Sequence, residues 1–418
     1  MPDGDASAVS LRKDSAHATG GARRGAPAAA RVEAFTESVI REMTRLSDEH
    51  GAINPAQGFP DFAAPDEVKA AAIAAIDADI NQYPITWGAR DLREAIAASY
   101  ERRGWPSVDP ASEVTVTCGS TEAMAAAFLS LIDPGDEVLL IEPFYENYGP
   151  DAHLSGASIR TVALQPPDWR LDAERLRAAI TPRTRALVVN TPHNPSGKVF
   201  AEAELRAIAE LCVERDLLAF TDEIYEHIVY DGAEHRFLAR QPGMAGRTVT
   251  ISALSKTYSV TGWRVGWAVA AAPLTAALRK VHDFLTVASP APLQAAGVAA
   301  LSLPAEFYAR LARDYRARRD LLVSALRTAG FAVSEPRGAY YAMADITPHR
   351  EAMGAVDDTD FCRRLVVEAG VAAVPGSSFY GRPADGRHFA RFAFPKRHET
   401  LEAAGERLID FGRRLGVA

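Results

Sequence analysis

Of the 46 basic residues in this 418-residue chain only six are lysines, and one of them, Lys256, stands where a primary amine has chemistry to do. It follows a strand-like run in SALSKTYSVTGWRVGW, with Arg264 eight residues further on. Arginine is the default cation here, but a guanidinium cannot form an imine with a carbonyl, so each lysine is worth inspecting. Taken alone, Lys256 also suits a solvated surface amine. A second stretch, AFTDEIYEHIVY, closes an apolar run with Asp222 and sets Tyr225 three residues later. An ionised carboxylate at the end of a buried strand is costly unless a cation meets it, and a protonated pyridine nitrogen would serve. Capping of the next helix is the plainer account of Asp222.

Two further stretches carry polar groups at strand ends. In ALVVNTPHNPSGKVF an apolar run enters a turn holding Asn190, Asn194, Pro195 and Gly197. The Asn194 amide suits a donor to a phenolate oxygen, although an asparagine in a turn also bonds its own backbone. In VTVTCGSTEAM a strand runs through Gly119, Ser120 and Thr121 into a helix. Free N–H groups at a helix start, a glycine that admits close approach and two hydroxyls together suit a phosphate; simple capping by Ser120 or Thr121 is the alternative.

The elements that must position these groups follow from the texture of the sequence. The runs VTVTC, EVLLI, ALVVN, LLAFTD, TVTIS and GWAVA are nearly all apolar, as expected of parallel strands covered by helices on both faces. Residues 121–131, 201–215 and the segment around Tyr225 read as amphipathic helices between them, giving an α/β, doubly wound, mostly parallel sheet. In such sheets ligands gather beyond the carboxyl ends of the strands, where all four stretches lie. After Ala272 the texture changes to long Arg- and Ala-rich helices and short strands around Phe331 and Phe389, which predicts a smaller α+β domain. The expected organisation is an N-terminal tail over 1–30, a large domain over 61–285, and a small domain built from 31–60 and 286–418.

Composition narrows the function. A formal net charge of −8 opposes a nucleic-acid footprint and favours small-molecule substrates. The three cysteines, Cys118, Cys212 and Cys362, are too few for a disulfide framework and too scattered for a metal cluster, which fits a reducing cytoplasm. No apolar run approaches the ~20 residues of a membrane span. Asp3, Asp5 and Asp14 are wrong for a transit peptide, so the first thirty residues read as a mobile tail.

Together and in this order, the four stretches resemble fold-type I pyridoxal 5'-phosphate (PLP) aminotransferases of class I/II, a resemblance that covers about Arg31 to the C-terminus. The runs NPAQGFPDF, GDEVLLIEPFYENY and RFAFP are most similar to the kynurenine/glutamine and methionine aminotransferase branch. The resemblance implies that Lys256 binds PLP as an imine and acts as general acid and base, and that Asp222 pairs with the pyridinium nitrogen. Asn194 and Tyr225 would hold the phenolic oxygen, Tyr145 would stack on the ring, and Ser120, Thr121 and Arg264 would bind the phosphate with backbone donors at Gly119. Arg391 in HFARFAFP would grip the substrate α-carboxylate with Gly58 and Asn194, and Tyr83 would reach across from the partner subunit of a homodimer.

One position departs from the family pattern: Ala253 stands where many relatives carry a phosphate-binding serine, and Ser252 or Ser255 is expected to compensate. The implied reaction is ping-pong transfer of an α-amino group to a 2-oxo acid. Ile85, Trp87, Tyr83 and Tyr145 suggest an amino acid with an apolar, aromatic or thioether side chain. The same carbanion chemistry also serves β-elimination from cysteine conjugates, or oxidation. DNA-binding regulators share the fold, but the segment before Arg31 is too short for their extra module.

Overall fold

Six of the apolar runs form strands of one sheet in the computed structural model of the protein, which describes Ala29, Val32, Phe35 and residues 37–105 and 107–418. The expected 1–30 tail lies outside the described residues apart from Ala29. The strands are β1 (Val114–Thr117), β2 (Glu137–Glu142), β3 (Ser158–Ala163), β4 (Thr184–Asn190), β5 (Leu218–Asp222), β6 (Thr248–Ala253) and β7 (Gly266–Ala270), in the order β1-β7-β6-β5-β4-β2-β3. β2 through β6 pair in parallel and are buried on both faces except for the edge strand β3. β3 was not anticipated because its sequence, SIRTVA, mixes polar and apolar residues and its burial is only partial.

Two expectations about the large sheet and its connections need correction. GWAVA is a strand, but β7 runs antiparallel to both β6 and β1. A parallel return needs a crossover element, and between Ala253 and Gly266 there is only the four-residue helix Leu254–Thr257 and a short turn. The segment around Tyr225 is a chain of tight turns, with Glu226 N–H bonded to Glu223 O at 2.9 Å and Ile228 N–H to Tyr225 O at 2.8 Å. Ile228 O then accepts from Ala339 N–H, which draws the backbone toward another part of the chain and prevents a helix from propagating.

A second sheet, β8 (Ala332–Val333), β9 (Tyr341–Asp345), β10 (Val374–Pro375) and β11 (Phe389–Ala393), is antiparallel throughout in the order β10-β11-β9-β8. Its apolar core takes in residues of the helices Ala305–Thr328, Asp358–Ala369 and His398–Leu415, and also Met43 and Ala56. An Ile53–Val371 bridge ties the 51–56 segment to it. The helix Ala291–Leu301 packs differently: Ala296 and Ala300 join Leu92, Val116 and Trp267 beside β1 and β7. Residues 291–301 therefore pack with the large sheet, where the sequence had placed them with the smaller domain. Among the described residues no helix is long and apolar enough to cross a membrane.

The carboxyl ends of β1, β4, β5 and β6 open onto one crevice, and its floor is set by a contact that only glycine allows. Gly119 opens the helix Gly119–Leu131 at φ +78°, a left-handed conformation that L side chains resist. Gly266, at the start of β7, lies so close that a Cβ there would sit 2.6 Å from Ser120 N and 2.5 Å from Gly119 C. Because those atoms are backbone, they cannot swing aside. Gly266→Ala is expected to cost at least the ~1–3 kcal/mol typical of overpacking, read as a lowered midpoint in denaturant unfolding.

Candidate active site

Lys256 enters the crevice from the helix that follows β6, and Asp222 enters from the last residue of the neighbouring strand β5. They share a cavity of about 400 Å³ whose lining also includes Asn194, Tyr225, Arg264 and Arg391. Lys256 Nζ donates to Gly58 O at 3.2 Å. Burial disfavours its charged form and outweighs the pull of Asp222, so its pKa is lowered to about 8. Asp222 is 8% exposed. Burial pushes its carboxyl upward, opposed by a hydrogen bond from Tyr148 Oη to Oδ2 at 2.7 Å and by Lys256. Its backbone carbonyl accepts from Asn190 Nδ2 at 2.8 Å and Thr191 N–H at 3.1 Å, which fixes the strand end.

Asn194 is held by its backbone, whose N–H donates to Asn190 Oδ1 at 2.6 Å. Its own Oδ1 accepts from Arg391 Nη1 at 3.0 Å, so the amide NH2 is the group left for a ligand. Tyr225 shares a 2.9 Å hydrogen bond with Tyr341 Oη, and burial holds its phenol protonated, well above its usual pKa. Arg391 comes from β11 in the other sheet and is 1% exposed. Its Nη2 donates to Ala56 O at 2.8 Å, and its guanidinium lies 4.3 Å from the Tyr341 ring centroid and 5.0 Å from that of Phe379. Its buried Nε has no hydrogen-bond partner among the described residues, so one donor of a desolvated cation awaits an acceptor.

At the opposite end, Ser120 and Thr121 lie in the first turn of the 119–131 helix and line the cavity with Ser255 and Arg264. Arg264 is in the left-handed region at φ +57°, a conformation that costs a non-glycine residue on the order of 1 kcal/mol and persists where surroundings demand it. Its Nη1 donates to Thr261 O at 3.0 Å and its Nη2 to Cys118 O at 3.4 Å, aiming the guanidinium across the helix start. Gly119 forms the turn beneath it. Gly58 and Tyr145 also line the cavity.

Two sequence-derived candidates are not brought to this site. Ser252 donates to Glu226 Oε1 at 2.7 Å and does not line the cavity. The strand alternation explains it: Val249 and Ile251 pack into the core that holds the 119–131 helix, so Ser252 faces the other way, and Ser255 is the serine that reaches the crevice. Tyr83 is 82% exposed and lies outside the cavity of its own chain. Sequence reasoning missed Tyr148, Tyr341 and Gln57. Tyr148 had a signal, since it stands three residues after Tyr145; nothing local in GAYYAMA singles out Tyr341.

The buried carboxylate of Asp222, the half-buried amine of Lys256 and a cationic group at each end thus line one cavity. A family model, aminotransferase class I and II, matches residues 51–408. The chain belongs to the class I and II aminotransferase family. It is similar to a probable N-succinyldiaminopimelate aminotransferase of Mycobacterium tuberculosis, at 45% identity over 395 residues covering 92% of this chain and 98% of that protein. A solved structure of the N-succinyldiaminopimelate aminotransferase from that organism superimposes with a TM-score of 0.89 at 44% identity, over 92% of this chain and 100% of that one. A methionine aminotransferase of Escherichia coli is 38% identical over 371 residues, 89% of this chain and 95% of that protein. The protein is thus a fold-type I, PLP-dependent aminotransferase, as its motifs implied.

Among the residues that sequence reasoning missed, Tyr148 is the one whose loss is most informative. Tyr148→Phe removes one neutral-to-charged hydrogen bond to Asp222 and is expected to lower kcat by roughly tenfold, whereas Asp222→Ala should lower it by about 10³ or more. Steady-state kinetics on the two variants, at equal cofactor loading, checks the order.

Proposed function

We propose that this cavity holds PLP on Lys256 and that Arg391 holds the α-carboxylate of the amino acid whose nitrogen is transferred. The observation that carries the reading is the pairing of one half-buried amine with one buried carboxylate between two cationic ends of a single cavity. The donor set fits the cofactor. Asp222 is a desolvated carboxylate suited to a pyridinium nitrogen, the Asn194 amide and Tyr225 hydroxyl suit a phenolate, and Arg264, Ser120, Thr121, Ser255 and the Gly119 turn suit a phosphate. Tyr145 would cover the ring. Gly58, through its backbone N–H, and Asn194 would complete the carboxylate clamp.

Bound PLP supplies an aldehyde for the substrate nitrogen and a cationic ring that draws in the electron pair left at Cα. The chain's own residues do the rest. Arg391, fixed by Asn194 and Ala56 O, orients the substrate through its carboxylate and so sets the direction of the Cα–H bond. Lys256 Nζ takes the proton from Cα and later returns it, a role suited to an amine whose pKa lies near 8. Asp222 keeps the ring nitrogen charged, and Tyr148 holds Asp222 in place. A 2-oxo acid would then accept the amino group in the second half of a ping-pong cycle.

For the amino donor we favour an apolar, aromatic or thioether side chain, a choice supported by Ile40, Tyr145 and Tyr341 in the cavity lining. The proposal extends to a homodimer in which Tyr83 of each copy completes the site of the other. Tyr83 does not reach the cavity of its own chain, and like Ile73, Ile76, Ile80 and Phe284 it is an exposed large apolar side chain that a partner subunit would cover. Sedimentation at micromolar concentration should give the mass of two chains. A monomer would remove this part of the proposal.

Three measurements test the chemistry. Lys256→Ala should bind no visible chromophore through that position and lose on the order of 10⁴-fold in turnover. Because the neutral amine is the nucleophile and burial lowers its pKa to about 8, uptake of PLP by apo-protein should speed up as pH rises through 8 and level off above it. Product analysis decides the reaction: a keto acid that appears only when a 2-oxo acid is present means transamination, whereas pyruvate released from cysteine conjugates without an acceptor means β-elimination.

A further inference from the structure

Beneath the start of the 119–131 helix lies an ion pair that the reaction does not use. Glu122, in the first turn, is 8% exposed, and His282, in the helix Ala272–Leu285, is fully buried. Glu122 Oε1 is 2.6 Å from His282 Nδ1 and accepts from Thr286 Oγ1 at 2.7 Å, while Oε2 accepts from the Cys118 backbone N–H. On its other side His282 Nε2 is 2.7 Å from Thr86 O. A carbonyl oxygen and a carboxylate are both acceptors, so with Glu122 ionised both ring nitrogens must carry hydrogen and the ring is an imidazolium. Burial alone would favour the neutral ring, but the hydrogen bond to Glu122 and that to Thr86 O outweigh it and hold its pKa up. Burial likewise opposes ionisation of Glu122, and the bonds from His282, Cys118 and Thr286 hold its pKa down.

The two ends of this pair reach functionally different segments. Cys118 N–H belongs to the turn that presents Ser120 and Thr121 to the crevice. Thr86 belongs to the loop that carries Tyr83, Ile85 and Trp87, and Trp87 O also accepts from Val116 N–H of β1 at 3.0 Å. A carboxylate in the first turn would repel a second anion at the same helix start unless a cation offset it. We propose that Glu122 and His282 are positioning residues, a charged strut that shapes the phosphate-binding turn and couples it to the 81–87 loop. The proposal rests on the reading that the phosphate binds at that helix start. When an anion is held there, the strut holds Thr86 in register with it, so that cofactor binding orders the loop.

The test uses the full-length apo-protein. Nitrogen-15 spectra of histidine-labelled protein at neutral pH should show both ring nitrogens of His282 protonated, assigned by their loss in His282→Gln; a resonance from an unprotonated nitrogen overturns the strut. Affinities for PLP and for pyridoxal, which lacks the phosphate, are then compared in Glu122→Gln, His282→Gln and Arg264→Gln. The strut variants should weaken PLP by about tenfold while leaving pyridoxal unchanged, and hydrogen exchange over 81–87 should no longer slow when PLP binds. If Arg264→Gln lowers the preference for PLP but the strut variants do not, the strut is wrong and the phosphate reading stands. If none of the three alters the preference, the phosphate reading itself fails. Should a variant not fold, the wild-type spectra and the wild-type exchange over 81–87 still decide.

Discussion

A carboxylate taken out of water at the end of a hydrophobic strand must be met by positive charge or lose its own, and Asp222 is placed so that this demand shapes everything around it. Its strand lies at the middle of the seven-stranded order, with β4 delivering Asn190 and Asn194 on one side and β6 leading to Lys256 on the other. Tyr148 supplies one neutral hydrogen bond, which steadies the group without cancelling its charge. Lys256 lies near, yet its own burial lowers its hold on a proton. The acid is left to be balanced by something that enters the crevice, and the aminotransferase cofactor has a ring nitrogen suited to do so.

The second sheet contributes at the other end of the same crevice. Arg391 crosses from β11 to bond Asn194 and Ala56 O, so this buried cation is a fastening between the two sheets and the 51–58 segment. Its guanidinium, flanked by Tyr341 and Phe379, is kept dry and oriented. The relative position of Arg391 and Lys256 in the cavity is thereby made a property of how the two halves of the chain pack.

Much of this was legible in the residues, and the parts that were not share physical reasons. Strands buried on both faces read as unbroken apolar runs, so β1, β2, β4, β5, β6 and β7 could be located, while the edge strand β3 mixes polar and apolar residues without a regular period and could not. Direction is not written in a strand, and β7 turns back because its connection is short. The turns after Asp222 are imposed by a bond from Ala339, far along the chain. Lys256, Asp222, Asn194, Tyr225 and Arg264 reach one cavity because strand ends in such sheets converge, whereas Arg391 joins them from the second sheet. Ser252 against Ser255 was a question of pleat and register, and Tyr341 and the Glu122–His282 pair needed three dimensions.

One carbonyl ties Lys256 to the segment that follows the helix Val39–His50. Gly58 O accepts from Lys256 Nζ at 3.2 Å and from Tyr340 Oη at 2.7 Å. A single oxygen thus fastens the segment around Gly58 both to the helix that follows β6 and to the residue that leads into β9, so a shift of either sheet is transmitted to it directly.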